Sequence, residues 1–244
     1  MSLVLFEVTA AESAGLPADV RSRVRLEPRT LHERARDHPE CEMAIVEVRS
    51  RVGTAELERL PRLRAVVSRT AGLDHIDLGA CAERGVVVTH AGDYSSGAVA
   101  EFTIAFLLHL LRGRQIRRSV SGGLGEVSGS LGGELSGRTV GVIGLGGIGR
   151  RVAAVLVALG CDVLAVSRRP LEGIESVPLA RVLEPASVMT LHLPGEAGLV
   201  LGPDEFLRLK AGALVVTDHV AWATEAAFER QLRCVIEAVR GWEG

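Results

Sequence analysis

Short apolar runs alternate with helical patterns along the whole chain. In its first third, runs rich in Val, Ile and Leu predict strands over Leu3–Val8, Met43–Val48, Ala65–Ser68 and Val86–Thr89. These runs are nearly continuous and do not alternate apolar with polar residues, which is typical of strands buried on both faces of a parallel sheet. Helical spacing predicts helices between them, near Thr54–Leu60 and Asp77–Arg84. The pattern therefore predicts an α/β layer unit.

A long helix and a glycine-rich stretch separate this unit from the rest of the chain. Residues near Ser96–Arg112 are rich in Ala, Phe and Leu and predict the helix. Residues Ser119–Gly137 contain seven glycines and five serines, the composition of a flexible linker or loop. Beyond it the pattern predicts strands over Val163–Val166, Val188–Leu193 and Ala213–Thr217, and helices over Leu179–Leu183, Pro203–Leu209 and Thr224–Arg240.

The most specific signal is an apolar strand, from Val140, that runs directly into Gly-x-Gly-x-x-Gly. Gly144 permits a tight turn, Gly146 lets the backbone approach a pyrophosphate, and Gly149 lets helix and strand pack closely. The start of the following helix offers free N–H groups to phosphates. The alternative is a merely structural glycine-rich turn, but strand, glycines, helix and strand in this order favour dinucleotide binding. The predicted binding residues of the turn are Gly144, Gly146, Gly147, Ile148 and Gly149.

The end of the next strand indicates which dinucleotide is bound. An NAD site usually has Asp or Glu there, which hydrogen-bonds the ribose 2′-hydroxyl. This chain has Ser167, Arg168 and Arg169 instead. The arginines can pair with a 2′-phosphate and the serine can donate to it. We therefore expect NADP, with NAD possible, while the alternative is two solvated arginines before a loop.

Composition excludes several classes of protein. The 244 residues are 47% apolar and 24% charged, with 3% aromatic residues and a formal net charge of −2. Neither the charge nor the aromatic content suggests a nucleic-acid partner. Four cysteines lie far apart and fit neither a disulfide framework nor a metal site, and no metal-ligand spacing is visible. With no leader and no apolar run of membrane length, we expect a cytoplasmic protein without a membrane partner.

Several segments resemble the D-isomer-specific 2-hydroxyacid dehydrogenases. They belong to independent motifs, such as the family's substrate-loop signature at Ser68–Leu78, and together span almost the whole chain. The other similar segments are Arg84–Thr89, Tyr94–Ser95, Ala98–Glu101, Leu135–Gly141, His192–Pro194 and Lys210–Leu214.

The resemblance implies a fold of two Rossmann-like, doubly wound parallel-sheet domains with the active site in the cleft between them. Residues 1–94 would form a flavodoxin-like substrate domain, completed by the C-terminal helix 219–244. Residues 95–218 would form the dinucleotide-binding domain, which is shortened here. Members of the family are commonly dimers that meet through the long helix, so a homodimer is expected.

The resemblance also implies roles for individual residues. In the family a His acts as acid and base on the substrate oxygen, an acidic residue tunes that His, and an Arg polarises the carbonyl. The substrate carboxylate is bound by backbone amides that correspond to Thr70, Ala71 and Gly72 here. Tyr94 would lie at the edge of the cleft. His192 and Pro194 would line the cofactor.

The last quarter of the chain departs from the family pattern. The strand that follows Lys210–Leu214 runs immediately into Asp218-His219, which resembles the family's Thr-Pro-His ending with Asp218 in place of Pro. The segments that carry the family's catalytic Arg and acid are missing between them. His219 is the predicted acid and base, or else a cleft-lining or structural histidine. Arg69, beside the carboxylate loop, is the predicted substitute cation, or else a residue of the rim.

Three functions fit these observations, and we rank an oxidoreductase first. It would be NAD(P)-dependent, would prefer NADP, and would act on a small 2-oxo or 2-hydroxy acid or a related carbonyl compound. The second is a catalytically degenerate homologue that binds a dinucleotide and has a partner or regulatory role. The third is a family member retuned to non-redox chemistry.

Overall fold

The structure is a computed structural model that describes residues 2–120, 132–193, 201–209, 214–216 and 224–242. The chain divides into two compact units. Unit 1 comprises Met1–Ser95 and Thr224–Gly244, and unit 2 comprises Ser96–Ala223.

Strands and helices alternate along the described residues. The strands are β1 (Leu3–Phe6), β2 (Val24–Glu27), β3 (Met43–Val46), β4 (Ala65–Ser68), β5 (Val87–His90), β6 (Thr139–Ile143), β7 (Asp162–Val166), β8 (Glu175–Ser176), β9 (Val188–Leu191) and β10 (Leu214–Val216). The helices are α1 (Ala10–Gly15), α2 (Ala18–Arg21), α3 (Leu31–Arg34), α4 (Thr54–Arg59), α5 (Leu78–Glu83), α6 (Ser96–Val120), α7 (Gly147–Ala158), α8 (Ala180–Leu183), α9 (Pro203–Arg208) and α10 (Glu225–Gly241), with a short 3₁₀ turn at Ala35–Asp37.

The sheet of unit 1 is parallel throughout, with the strand order β2-β1-β3-β4-β5. Both faces are covered, which explains why its central strands are continuous apolar runs. Leu5 faces α10, where it shares a core with Val235 and Val239. Phe6 faces the opposite side and packs in a core with Leu31 of α3. The order of the strands reverses between β1 and β3, and ligands bind at such switch points in this class of sheet.

The sheet of unit 2 is also parallel, with the order β10-β9-β6-β7-β8. Val142 of β6 lies on the face covered by α6 and α7, in a core that contains Leu107 and Leu156. Ile143 lies on the other face, in a core that contains Leu183 of α8. Two parallel sheets with helices on both faces confirm the predicted fold class.

The structure contains one strand in unit 1 that the apolar pattern did not predict. It is β2, whose sequence Val-Arg-Leu-Glu alternates apolar with polar residues. β2 lies at the edge of the sheet beside β1, and only its first residue is buried. An edge strand is partly exposed to solvent, so it lacks the continuous apolar run used to find the others.

The long helix extends further than its apolar residues indicate. The sequence predicted its end near Arg112, whereas α6 continues to Val120. Arginine and glutamine are good helix formers, and they make up half of residues 113–120. Among the helices that the structure describes, none has the length and apolar character needed to cross a membrane.

Candidate functional site

The glycine turn after β6 excludes a side chain at two of its three motif glycines, Gly144 and Gly149. Gly144 adopts φ of +94°, in the left-handed region, and an added Cβ would lie 2.5 Å from the carbonyl oxygen of His192. A Cβ on Gly149 would overlap the carbonyl oxygen of Gly144, so the start of α7 packs directly on the turn. By contrast, a Cβ on Gly146 would meet nothing within 4 Å. The turn is therefore closely packed at Gly144 and Gly149 and open at Gly146.

A cavity of about 980 Å³ opens at this turn within unit 2. Its walls come from the carboxyl ends of β6, β7 and β9, where α/β sheets bind ligands. Its lining includes Gly144, Leu145, Gly146, Ser167, Arg168, Arg169, Ser176, Val177, Pro178, His192 and Leu193. α7 begins at Gly147 with Gly146 as its N-cap, so its unpaired N–H groups start at the open side of the turn. This is the arrangement that binds phosphates.

Ser167, Arg168 and Arg169 lie together on the rim of the cavity. The Ser167 hydroxyl donates to the carbonyl oxygen of Arg169 at 2.9 Å and accepts from the Arg169 amide at 3.1 Å. These two bonds close a short turn after β7. Both arginine side chains are exposed, with the cavity beside them. The structure thus brings the predicted 2′-phosphate residues to the same cavity as the glycine turn.

His192 follows β9 and lines the same cavity. Its amide donates to the carbonyl oxygen of Ile143 at 2.8 Å, and its Nε2 lies 2.7 Å from the hydroxyl of Thr190. Burial lowers the pKa of His192 to about 4, so its ring is neutral at physiological pH. A neutral ring fits a lining role and adds no charge to the site. Pro194, which is predicted to line the cofactor beside it, lies outside the described residues.

The loop after β4 in unit 1 is held in shape by its own polar side chains. The Thr70 hydroxyl lies 2.7 Å from the Ser68 hydroxyl and 2.7 Å from the carbonyl oxygen of Gly72. Among the described residues, none accepts a hydrogen bond from the amides of Ala71 and Gly72, which are both exposed. Consecutive free amides form a concave anion-binding surface. The loop can therefore bind a carboxylate.

Arg69 lies in the interior of unit 1 and not on the rim. Its side chain is 2% exposed. The guanidinium is paired with the carboxylate of Glu12, lies 3.5 Å from that of Glu47, and donates to the carbonyl oxygens of Phe6 and Glu7. Both predicted roles for Arg69, substitute cation and rim residue, require exposure, so this position supports neither of them.

Glu12, Glu47 and Arg69 form a largely buried ionic cluster that the sequence analysis missed, and Glu7 joins it through its carbonyl oxygen, which accepts from Arg69, and through its carboxylate, which binds the Glu47 amide. The carboxylate of Glu7 accepts from the amides of Glu47 and Ser50, each at 3.0 Å. Glu7 itself has φ of +56°, which is uncommon for a residue with a side chain. Two of these acids lay inside the predicted strands Leu3–Val8 and Met43–Val48. A charge within an apolar run was the available signal, and the structure ends both strands just before it.

Gln231 of α10 connects the C-terminal helix to this cluster. Its side-chain amide donates to the Glu47 carboxylate at 3.2 Å and to the carbonyl oxygen of Arg69 at 3.1 Å. Burial raises the pKa of the Glu47 carboxyl, against the nearby Arg69, which lowers it. The segment that ends in Arg69 leads directly into the carboxylate loop. Gln231 and the cluster therefore fix the backbone on which that loop starts.

The remaining predicted residues fall in two places. Tyr94 is buried in unit 1, burial raises the pKa of its phenol, and its carbonyl oxygen accepts from Arg230 of α10. His219 lies outside the described residues. Within the described part of the chain, no group of three His, Cys, Asp or Glu side chains is placed to hold a metal ion.

Two parallel doubly wound sheets, one with a glycine turn opening on a cavity, define a Rossmann-type α/β protein. Within that class the chain belongs to the D-isomer specific 2-hydroxyacid dehydrogenases. The model of that family's catalytic domain matches residues 5–243.

Individual relatives show how far the similarity extends. A D-3-phosphoglycerate dehydrogenase of Archaeoglobus fulgidus is 32% identical over 211 residues, which are 83% of this chain and 39% of that protein. A glyoxylate/hydroxypyruvate reductase of Arabidopsis thaliana is 39% identical over 117 residues, 46% of this chain and 36% of that protein. The chain thus spans less than half the length of these relatives.

A solved structure shows the same fold. The D-lactate dehydrogenase of Aquifex aeolicus, complexed with NAD and lactic acid, superposes with a TM-score of 0.88 at 22% identity. The superposition covers 98% of this chain and 94% of that one.

Proposed function

We propose that unit 2 binds a nicotinamide dinucleotide, NADP(H) in preference to NAD(H), at the glycine turn. The observation that carries this proposal is the turn itself, in which Gly144 and Gly149 allow the close approach of strand and helix while Gly146 is open to the cavity. The pyrophosphate would bind to the N–H groups at the start of α7. The 2′-phosphate would bind to Ser167, Arg168 and Arg169, and His192 and Pro194 would line the site.

We propose that the protein is an oxidoreductase of a small 2-oxo or 2-hydroxy acid or a related carbonyl compound. When bound, the nicotinamide supplies or accepts the hydride. The amides of Ala71 and Gly72 hold the substrate carboxylate in unit 1, and Tyr94 borders that site. The Thr70 amide, which the sequence analysis expected to bind the carboxylate as well, donates instead to the Ser68 hydroxyl at 3.2 Å. His219 exchanges the proton with the substrate oxygen. The activities named for the relatives from Archaeoglobus and Arabidopsis support this class of substrate.

A second candidate is a homologue that binds a dinucleotide without turnover and serves a partner or regulatory role. A variant of this candidate is a homologue that was retuned to non-redox chemistry. The sequence favours it because the segments for the family's catalytic Arg and acid are missing. The buried position of Arg69 favours it as well, since Arg69 was the predicted substitute for that Arg.

Turnover of NADPH separates these candidates. The measurement is NADPH oxidation with a panel of 2-oxo acids that includes pyruvate and glyoxylate, for the wild type and His219→Asn. An oxidoreductase loses about 10²- to 10⁴-fold in kcat in this variant while NADPH binding stays unchanged. His109→Asn, at an exposed position of α6, is the matched control and retains activity. Tight NADPH binding with no turnover on any member of the panel contradicts the oxidoreductase and supports the second candidate.

The preference for NADP is tested by reversing one charge. Arg168→Asp is expected to weaken NADPH binding by about 10-fold or more and to leave NADH binding nearly unchanged, because only NADPH carries the 2′-phosphate. Arg181→Asp, an exposed arginine of α8 outside the cavity, is the control. An unchanged ratio of the two dissociation constants would reject this assignment.

We propose further that the protein is a cytoplasmic homodimer with a small-molecule substrate and no nucleic-acid or membrane partner. The exposed Leu108 and Leu110 of α6 support a contact between copies. The free thiols of Cys41, Cys81, Cys161 and Cys234 support a reducing compartment. Light scattering on the wild type and Leu110→Lys tests the dimer, which this variant is expected to weaken.

A further inference from the structure

Gln231 lies on the buried face of α10, with 2% of its surface exposed. Its Nε2 donates to the carbonyl oxygen of Arg69 at 3.1 Å and to the carboxylate of Glu47 at 3.2 Å. A carbonyl and an ionised carboxylate only accept hydrogen bonds, so the nitrogen end of the Gln231 amide faces both. One side chain of the C-terminal helix thus binds the two residues that directly follow β3 and β4.

The peptide group that joins Arg69 to Thr70 carries this contact into the carboxylate loop. A peptide group is planar, so a bond that holds the carbonyl oxygen of Arg69 also fixes the direction of the Thr70 amide. That amide donates to the Ser68 hydroxyl at 3.2 Å, and the Arg69 amide donates to the carbonyl oxygen of Val46 at 2.8 Å. The backbone is therefore held on both sides of Arg69, immediately before the exposed amides of the loop.

The neighbouring residue of α10 holds the second segment of unit 1 that is proposed to meet the substrate. Arg230 donates through Nε to the carbonyl oxygen of Tyr94. Arg230 and Gln231 are adjacent, so one turn of α10 binds the backbone of both segments. Anchoring of the helix does not require these contacts, because Val235 and Val239 already fix α10 in the core of unit 1.

We propose that Gln231 is a positioning residue for the substrate carboxylate, an inference that rests on the proposed oxidoreductase function. Gln231 acts through the peptide group between Arg69 and Thr70, which sets the direction of the amides of Ala71 and Gly72. The carboxylate is bound in the ground state and in the transition state alike, so a displaced loop weakens substrate binding more than it slows the chemical step. Loss of the Gln231 amide therefore raises KM and leaves kcat nearly unchanged.

Three substitutions of Gln231 separate its hydrogen bonds from its packing. Gln231→Met and Gln231→Leu both lack a donor but pack differently, so the test does not depend on one of them folding. Gln231→Lys is as long and unbranched as the methionine variant but ends in a donor. Val235→Ala is the matched control, because it removes packing from the same helix and makes none of these hydrogen bonds.

Steady-state kinetics with NADPH gives KM and kcat for the 2-oxo acid of the panel that the wild type reduces fastest. Gln231→Met and Gln231→Leu are expected to raise KM about 10-fold, the size of one lost hydrogen bond to a positioned group, with kcat within about threefold of the wild type. Gln231→Lys should recover part of the loss. Val235→Ala should lower the melting temperature but keep KM within about twofold of the wild type. NADPH binding should be the same in all variants.

Two results would overturn this inference alone. The first is a KM within about twofold of the wild type in the folded variants that lack the donor. The second is an equal rise of KM in these variants and in Val235→Ala, which would show that α10 acts only through stability. A wild type that reduces no member of the panel would overturn the proposed function and, with it, this inference.

Discussion

The guanidinium of Arg69 is enclosed by the carboxylates of Glu12 and Glu47 and by two carbonyl oxygens of unit 1. From the sequence alone, an arginine beside a glycine-containing loop suggests ligand binding, because the sequence shows only which residues are neighbours along the chain. The acids that pair with it lie far from it in sequence. Only the fold brings Glu12 and Glu47 to Arg69, and the burial of Arg69 among them then gives it a structural role.

Removing the charge of Arg69 should therefore strongly destabilise unit 1. Arg69→Met leaves Glu12 and Glu47 without their cation in the interior, which costs about 3–5 kcal/mol for a broken buried pair. Urea unfolding followed by circular dichroism measures the change.

Arg49→Met is the matched control for Arg69→Met. Arg49 is also paired with a buried acid, Glu7, but its own side chain is 72% exposed. Glu7 keeps two amide donors in this variant, so the loss should stay at or below about 1 kcal/mol. Equal losses for the two variants would contradict the structural role of Arg69.

His192 gives unit 2 a pH-dependent stability. Its pKa of about 4 in the folded protein lies below the ordinary 6.5, so the unfolded chain takes up the proton first as the pH falls. The neutral ring of His192 therefore contributes its full stabilisation above pH 6.5, and this contribution is lost as the pH falls towards 4. The free energy of unfolding should decrease by about 3 kcal/mol in total over this range.

This effect is isolated by comparing the wild type with His192→Asn in thermal melts from pH 4 to pH 7.5. The quantity of interest is the stability of the wild type minus that of the variant. The difference should shrink as the pH falls. A difference that is independent of pH would show that the His192 ring is not buried in its neutral form.

At the scale of elements, the turn from β6 into α7 is the part that the sequence predicted in most detail. The spacing of the glycines predicted where strand and helix pack closely and where the backbone stays open to a pyrophosphate, because each of these contacts is a local steric requirement. The edge strand β2 and the end of α6 were not predicted, since neither has the apolar run or periodicity on which the assignment relied.

The second and third glycines of the motif, Gly146 and Gly149, should respond differently to alanine. Gly149→Ala places a Cβ onto the carbonyl oxygen of Gly144, so we expect a loss of about 2 kcal/mol or more. Gly146→Ala meets nothing within 4 Å, so its melting temperature should stay near that of the wild type. NADPH binding should nevertheless weaken in Gly146→Ala, because the methyl group occupies the approach of the pyrophosphate. A stable Gly149→Ala protein would contradict the packing of α7 on the turn.

At the scale of the whole molecule, the sequence predicted the fold class and the family but only part of the candidate site. Local motifs sufficed for the glycine turn and for the arginines after β7, since each lies within one stretch of chain. The cluster around Arg69 combines residues that directly follow β1, β3 and β4 with residues of α1 and α10, which no local pattern connects. Gln231 belongs to it although it lies 162 residues from Arg69.

The central claim is that the glycine turn of unit 2 binds a nicotinamide dinucleotide. Isothermal titration of the wild-type chain with NADPH tests it most directly. The account predicts saturable binding of one NADPH per chain with a micromolar or tighter dissociation constant, corresponding to about −8 kcal/mol or more favourable. Absence of saturable binding for both NADPH and NADH would contradict it.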